Sequence, residues 1–382
     1  MASDASEAMA TETILQFGTG RFLRGFVDRF VQQAHDAGQT VGSVVVVQST
    51  AANRADALSQ QGGVFHVAVR GYEQGQLVDR TERVASIRRA LSANSEWPAV
   101  LEVARSPRLK YIISNTTEAG FAVNESDTLA MQPPKSFPAK LTRVLWERFC
   151  AGGEPVVILP CELIERNADT LQELIVQQAR RWELPVDFIS WLNEHCAWLN
   201  NLVDCMITPG PTDHPLAASD PLLIQAEPYT LWAIERRSNM PELWSHEAIH
   251  IVDELAPYYL RKVRILNGIH TAMVGKYLGR GFSTVQEILA DRTATRWVRA
   301  LLYEEIVPTI AYRVEDVAAF ADEAFDRLRN PYLSHQLDQI ALNHVAKVKV
   351  RLQPTFDEYV RLFSVPPRYL GEVIERQIGS DK

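Results

Sequence analysis

Cysteine is scarce: Cys150, Cys161, Cys196 and Cys205 are the four in 382 residues, with no C-x-x-C pair among them. That excludes a disulfide framework and a clustered thiolate metal site, and it assigns the chain to a reducing cytoplasm. No apolar run approaches the roughly 20 residues that span a bilayer, so no membrane partner is expected. A basic cluster is missing too. The net charge of -8 is spread along the chain, whereas a nucleic-acid surface needs concentrated positive charge. Met1–Glu12 is small and acidic and lacks the basic start and apolar middle of a signal peptide; it reads as a disordered leader. Internal repeats and low-complexity tracts are absent. What remains is ordinary globular composition, 46% hydrophobic and 23% charged, in a chain long enough for two domains with their own cores.

Ile14-Leu15-Gln16-Phe17 predicts a strand that runs into Gly18-Thr19-Gly20-Arg21-Phe22. A helix is expected from there to near Gly38, with Phe22, Phe26, Val27, Phe30 and Val31 at helical spacing. Strand, Gly-x-Gly and helix open a dinucleotide-binding unit, where the glycines let a pyrophosphate approach the helix N-terminus. Leu23 stands in place of the usual third glycine, so a plain glycine turn remains the alternative on this signal alone. The second strand, Val44–Val47, ends in Gln48-Ser49-Thr50, where a carboxylate would take the ribose hydroxyls of NAD. None is there. Arg54 is near enough in sequence to meet a 2′-phosphate, so the residues leave NAD and NADP both open.

Residues 64–78 alternate as a hairpin and 97–104 read as helix. The strand Leu109–Ile113 empties into Ser114-Asn115-Thr116-Thr117-Glu118-Ala119-Gly120. At the carboxyl edge of a doubly wound sheet those groups would line the ligand crevice; the plainer alternative is a capped turn that touches no ligand. A helix over 141–149 and a strand over 155–159 follow, the strand ending at Pro160-Cys161-Glu162-Leu163-Ile164. Next comes a helix capped by Asn167 or Asp169 and running to about Trp182. Leu202–Ile207 reads as an inner strand with Asp204 as a polar intrusion, and Tyr229–Ile234 as one more. Beyond His270 the pattern is helical almost to the end, with 336–351 expected as one helix. The fold class is therefore α/β: a Rossmann-like domain over 13–252, then a mainly α-helical domain over 253–382.

Between these two regions lies Arg261-Lys262-Val263-Arg264-Ile265-Leu266-Asn267-Gly268-Ile269-His270. At about 100° per residue, Asn267 lies about 140° and His270 about 80° round the helix from Lys262. All three share one broad face. A lysine on a mostly buried face is costly unless it is paired or its pKa falls, and a lysine tuned in that way is a proton donor near neutral pH. With an amide and an imidazole to hold an oxygen, this reads as the proton-handling half of a carbonyl/alcohol redox site. The bland alternative has Lys262 snorkelling to solvent, Asn267-Gly268 kinking the helix and His270 hydrogen-bonded in the core. His246-Glu247-Ala248-Ile249-His250 fits H-E-x-x-H, but Pro241 before it and Ile251-Val252 after it argue against the long helix a zinc site needs. No metal is expected.

Four of these segments together resemble the polyol-specific long-chain dehydrogenases, the mannitol dehydrogenase family, over about Ile14 to Val360. Phe17-Gly18-Thr19-Gly20-Arg21-Phe22-Leu23-Arg24 is similar to that family's cofactor loop. The stretches 114–120 and 160–164 are most similar to its hexuronate branch, the tagaturonate reductases or altronate oxidoreductases. Lys262, Asn267 and His270 match the catalytic pattern. The resemblance implies that Lys262 is the general acid/base, that Asn267 polarises the reacting oxygen and that His270 holds a neighbouring hydroxyl. It implies cofactor contacts from Gly18, Thr19, Gly20, Arg21, Phe22, Gln48, Ser49, Asn115, Thr116, Thr117 and Glu118, and substrate contacts from Lys347 and Asp204. Arg351, one helical turn from Lys347, would join it in holding a sugar-acid carboxylate, unless the pair is a solvated basic face like Lys349.

Mannitol-type members carry an asparagine where this chain has Leu163 and an arginine where it has Gln339. Both differences point away from mannitol and towards a hexuronate. The chain is also shorter than typical hexuronate members, so some surface or substrate-covering segments are expected to be missing. The implied activity is a metal-independent, NAD-dependent oxidoreductase of the CH–OH class, with NADP not excluded, that reduces tagaturonate to altronate. A second reading is a mannitol-1-phosphate 5-dehydrogenase or other polyol dehydrogenase of the family, and a third is a cofactor-binding sensor without turnover. The residues leave oligomeric state and physiological direction open.

Overall fold

The computed structural model describes residues 11–50, 53–116 and 118–380. Thr117 of the expected cofactor set lies outside them. The strands, in chain order, are β1 (Glu12–Phe17), β2 (Ser43–Gln48), β3 (Phe65–Glu73), β4 (Gln76–Val84), β5 (Ile87–Ser92), β6 (Tyr111–Ser114), β7 (Val157–Pro160), β8 (Ala197–Trp198), β9 (Asn201–Asp204), β10 (Ile207–Pro209), β11 (Ile224–Ala226), β12 (Leu231–Glu235) and β13 (Ile249–Val252). Six of them form a parallel sheet in the order β5-β2-β1-β6-β7-β8. The chain leaves β1 towards β2 and β5, then returns to the other side of β1 for β6, β7 and β8. That reversal, between β1 and β6, is where a doubly wound sheet opens a crevice for its ligand. Two smaller sheets, β10-β11-β3-β4 and β13-β12-β9, complete the strands.

Alternation along the parallel strands builds two cores, one on each face of the sheet. Ile14, Val44, Val46, Ile113 and Leu159 point to a layer that contains Phe26, Phe30, Val67 and Trp232. Leu15, Phe17, Val45, Val47 and Ile158 point the other way, onto the helices Ala93–Arg105, Phe137–Cys150 and Asn167–Arg181. Every side chain of β2 is buried, as a strand covered on both faces requires. Arg148 is wholly buried and stitches the second layer together, donating to the carbonyls of Ala104, Ser106, Leu109 and Glu154 at 2.6–3.0 Å.

The helix expected from Phe22 to Gly38 is two helices, Arg21–Gly25 and Val27–Asp36, broken at Phe26 (φ -120°, ψ -85°). Phe22 stacks on Phe26 across that bend, with ring centroids 5.0 Å apart. At the start of the Asn167–Arg181 helix, Asn167 Oδ1 accepts from the Ala168 amide at 3.0 Å. Asn200 Oδ1, distant in sequence, also accepts from the Ala168 and Asp169 amides at 3.0 and 3.1 Å, while Asn167 Nδ2 donates to the carbonyls of Pro160, Glu162 and Asn201.

Contacts divide the chain into two compact units, Met1–Val69 with Asp79–Leu255, and Arg70–Val78 with Ala256–Lys382. The second is helical apart from the β3–β4 hairpin tip, which belongs to it because Asn330 Nδ2 donates to Arg70 O at 2.9 Å and Arg70 lies over the Tyr332 ring. Its helices carry local start signals: Thr284 and Glu287 make a capping box, and Asp291 caps the N-terminus of Arg292–Ala300. Buried Glu305 accepts from the Tyr369 and Leu370 amides and starts the last helix. No described helix is long and apolar enough to cross a membrane.

One buried group sets a pH dependence for the first unit. Asp28 is fully buried; one carboxyl oxygen accepts from Gln16 Nε2 at 3.2 Å and the other has no partner. Burial raises its pKa from 3.8 to about 7, against the Gln16 bond and the nearby Arg24 charge. A carboxyl whose folded pKa lies above its unfolded one favours folding while protonated, so stability falls as pH rises from about 4 through about 7. The loss is on the order of 4 kcal/mol at 1.36 kcal/mol per unit. Asp28→Asn should therefore raise the thermal midpoint at about pH 8 and change it little at about pH 4; parallel curves across that range would contradict this.

Candidate active site

The glycine turn comes first because the sheet aims it. Gly18 follows β1 at φ +132°, and a Cβ there would sit 3.0 Å from Asn115 O and 3.0 Å from the Leu23 side chain. Only glycine suits that position. The place where a third glycine would stand is filled by Leu23, 1% exposed, whose methyl packs against Gly18. A Cβ at Gly20 would meet nothing within 4 Å, so the loop backbone there is open to close approach by a pyrophosphate. Thr19 is buried, Arg21 is exposed and Phe22 is half-buried.

At the end of β2, Gln48 is committed to its own loop: Nε2 donates to Thr50 O at 3.0 Å and Oε1 accepts from Ala55 N at 2.8 Å. The neighbouring Ser49 hydroxyl is buried with no partner among the described residues. Such an orphan is unusual in a folded interior, and a dinucleotide at this edge would give it one. At the end of β6, Asn115 Nδ2 donates to Cys161 O at 2.7 Å. Glu162, 2% exposed, accepts from Ser114 Oγ, Thr116 N and Thr116 Oγ1 at 2.8–3.1 Å. Burial raises its pKa, and these bonds oppose the shift. Glu162 thus locks the 114–120 and 160–164 segments into one surface beside the glycine turn. A short 3-10 turn begins at Glu118. Leu163, just after β7, is exposed. The open glycine backbone at the switch between β1 and β6, with the unpartnered Ser49 hydroxyl at the end of β2, fits a dinucleotide.

In the helical unit the central stretch departs from the expected uniform α-helix. Ala256–Arg261 and Gly268–Tyr277 are α-helical, and Lys262–Asn267 between them is a turn of π-helix. In π geometry the hydrogen bond joins residues five apart, which is the Lys262–Asn267 spacing. The two therefore stand one above the other on successive turns, closer on the helix surface than α geometry allows. Two further π-turns occur in this unit, Leu301–Ile306 and Val348–Leu352, and the first packs against both. Lys262, Asn267 and His270 are each half-buried, while Ile265, Leu266, Gly268 and Ile269 around them are buried.

The expected 336–351 helix is also interrupted. Leu337–Ile340 and His344–Lys347 are separate short helices, with Asn343 in the left-handed region (φ +57°) between them. Lys347 ends the second and its Nζ donates to Ile340 O at 2.7 Å. Arg351 sits in the following π-turn, and its Nη1 reaches Thr271 Oγ1 at 3.4 Å; that hydroxyl donates to Asn267 O at 2.8 Å. Arg351 is thereby tied to the turn that carries Asn267. Lys349 and Gln339 are exposed. Asp204 ends β9 in the first unit, buried and opposite Leu231.

Two residues that sequence reasoning did not single out complete the cluster. His335 Nδ1 lies 3.3 Å from His270 Nε2, with ring centroids 5.3 Å apart. Arg327, 4% exposed, acts on both rings. Burial, then His335, Arg327 and Arg351, lowers the His270 pKa to about 3; burial and Arg327 lower that of His335 to about 4. Burial and Arg351 also lower the Lys347 pKa. The charged side chains behind these shifts, Arg327 and Arg351, are cationic. At neutral pH both rings are uncharged, so one donates and one accepts across the 3.3 Å contact. No local signal marks Arg327 or His335, since a helix-end arginine and a loop histidine are ordinary.

His246 and His250 do not share a helix. His246 lies in a turn, stacked 4.1 Å from the Phe30 ring, with Nδ1 accepting from Ala248 N and Nε2 donating to Gln33 Oε1 at 2.7 Å; His250 is in β13. No group of three His, Cys, Asp or Glu among the described residues could hold a metal ion.

Comparison with known proteins agrees with both halves of this geometry. Residues 12–244 match the family model described as the mannitol dehydrogenase Rossmann domain, and 254–361 match the mannitol dehydrogenase C-terminal domain. The altronate oxidoreductase of Halalkalibacterium halodurans is 38% identical over 373 residues, covering 94% of this chain and 73% of that protein. That of Bacillus subtilis is 38% identical over 362 residues, covering 91% and 75%. Among solved structures, Pseudomonas fluorescens mannitol 2-dehydrogenase in ternary complex with NAD and D-mannitol has a TM-score of 0.78 at 20% identity, covering 96% of this chain and 78% of that one. A substrate-free D-sorbitol dehydrogenase also scores 0.78, covering 90% and 75%. These two share the fold.

The imidazole pair yields a direct check. With folded pKa values near 3 and 4 against an ordinary 6.5, the unfolded chain binds more protons across that window, so stability holds above about pH 6.5 and declines as pH falls towards 3. The ring C–H resonances of His270 and His335 should not titrate between about pH 8 and 5, and His335→Gln should flatten the acid decline in stability. A ring titrating near 6.5 would contradict the assignment.

Proposed function

The chain belongs to the mannitol dehydrogenase family, and from that premise we propose that it reduces a keto-hexuronate, tagaturonate, to the hexonate altronate. It is an NAD-dependent oxidoreductase acting on a CH–OH group. The observation that carries the sugar-acid reading is the set of cationic side chains about His270: Arg327 and Arg351 act on it, and Arg351 acts on Lys347. A carboxylate answers that charge and an uncharged polyol does not. The relatives named altronate oxidoreductases support the same class.

The chemistry that the reduced nicotinamide supplies when bound is a hydride to the ketone carbon. The glycine turn at Gly18–Gly20, the Ser49 hydroxyl and the surface locked by Glu162 hold the dinucleotide. Lys262 gives a proton to the oxygen as the carbonyl carbon becomes tetrahedral, so the ketone gains one hydride and one proton and leaves as the alcohol. The Asn267 amide, one π-turn from Lys262, donates to the same oxygen and stabilises the charge that develops on it. His270 is uncharged at neutral pH and holds a neighbouring hydroxyl in an orientation that His335 fixes through the ring–ring contact. Arg351, with Lys347, receives the carboxylate through a two-pronged donor set. In oxidation Lys262 takes the hydroxyl proton back.

Lys262→Ala should lower kcat by about 10²- to 10⁴-fold in both directions while NADH still binds. Retained turnover within a few-fold would overturn the acid/base role. Arg351→Gln should raise the KM for the hexuronate about ten-fold or more with a smaller effect on kcat; an unchanged KM would remove Arg351 from the carboxylate site.

A further inference from the structure

Arg24 is 4% exposed, yet it makes one hydrogen bond, from Nη1 to Leu222 O at 2.5 Å, and its guanidinium lies 5.3 Å over the Phe65 ring. Its Nε has no partner. Arg148, also buried, uses its guanidinium on four carbonyls. A guanidinium has five N–H donors, so Arg24 is under-satisfied for its depth. It lines a pocket of about 420 Å³ together with Arg21, Asn53, Arg54, Asp220 and the 209–224 loop. Asp220 is already occupied, accepting from Gln61 Nε2, His66 N, His66 Nδ1 and Leu222 N. Asp28 and Asp220 act on Arg24 only through their charge, while Arg54 and Arg21 oppose it, and burial holds its pKa down to about 10. Three guanidiniums thus face one pocket.

The position of that pocket suggests what it takes. Arg21 follows the glycine turn directly, and Arg54 lies six residues past Gln48 at the end of β2. In a doubly wound sheet this edge meets the adenosine ribose, through a carboxylate for a free 2′-hydroxyl or an arginine for a 2′-phosphate. The carboxylate is absent, and Gln48 in its place is bonded within its own loop. We propose that the Arg21, Arg24 and Arg54 pocket receives a phosphate monoester, the 2′-phosphate of NADPH, so that the chain accepts the phosphorylated dinucleotide as well as NADH. This rests on the dinucleotide reading of the glycine turn.

The test is calorimetric titration of the intact protein with adenosine 2′,5′-bisphosphate, 5′-AMP and inorganic phosphate. The bisphosphate should bind about ten-fold or more tightly than 5′-AMP at low salt, and Arg54→Ala, an exposed position, should abolish that preference. Equal binding of the two nucleotides overturns the proposal. So does saturable binding of inorganic phosphate without a preference for the bisphosphate, which would make the pocket a site for free phosphate. Because the readout is binding, failure to turn over any hexuronate would count against the catalytic reading and leave this result standing.

Discussion

The helical unit is organised by positive charge gathered where water is thin. Arg327 is almost fully buried, and it and Arg351 act on imidazoles that burial already keeps neutral. Like charges in such surroundings repel by several kcal/mol at short range, and a fold selected for stability alone has no reason to assemble them. The cost is offset by the helices that hold them: the Ile340 carbonyl takes the Lys347 ammonium, and Thr271 links Arg351 to the Asn267 turn. In the proposed reading, substrate choice and the neutrality of His270 have one electrostatic source.

In the first unit the corresponding constraint is covalent geometry at the strand ends. Parallel strands buried on both faces deliver three chain reversals side by side, after β1, β2 and β6. Gly18 tolerates the close approach of Asn115, and buried Glu162 binds the turn after β6 to the turn after β7. A cofactor surface assembled from separate turns needs such cross-links. Loosening any one of them would move groups that must stay within hydrogen-bond range of one ligand.

Strand positions and the α/β plan were legible because they follow from local apolar runs punctuated by glycine. The Gly-x-Gly turn and the Lys262–His270 stretch stood out through residue chemistry alone. The π-turn at Lys262–Asn267 did not: no residue within it marks the geometry, and it packs against two other π-turns distant in sequence. Arg327 and His335 meet His270 from elements more than fifty residues away in sequence, which spacing arguments never compare. The break at Asn343 and the cap from Asn200 are of the same kind: an asparagine tolerant of the left-handed region, and a tertiary hydrogen bond added to a local one. Local rules located the groups; tertiary packing decided which of them face each other.

The central claim is that cationic charge selects the substrate, and the most direct measurement is the oxidation of NADH followed by absorbance with matched acceptors. Tagaturonate and fructuronate would be compared with the uncharged ketohexoses tagatose and fructose at fixed ionic strength. The account predicts that kcat/KM for a keto-hexuronate exceeds that for either uncharged sugar by about a hundred-fold or more, with the gap narrowing as salt is added. Comparable rates for charged and uncharged acceptors, or turnover of an uncharged ketose alone, would contradict it.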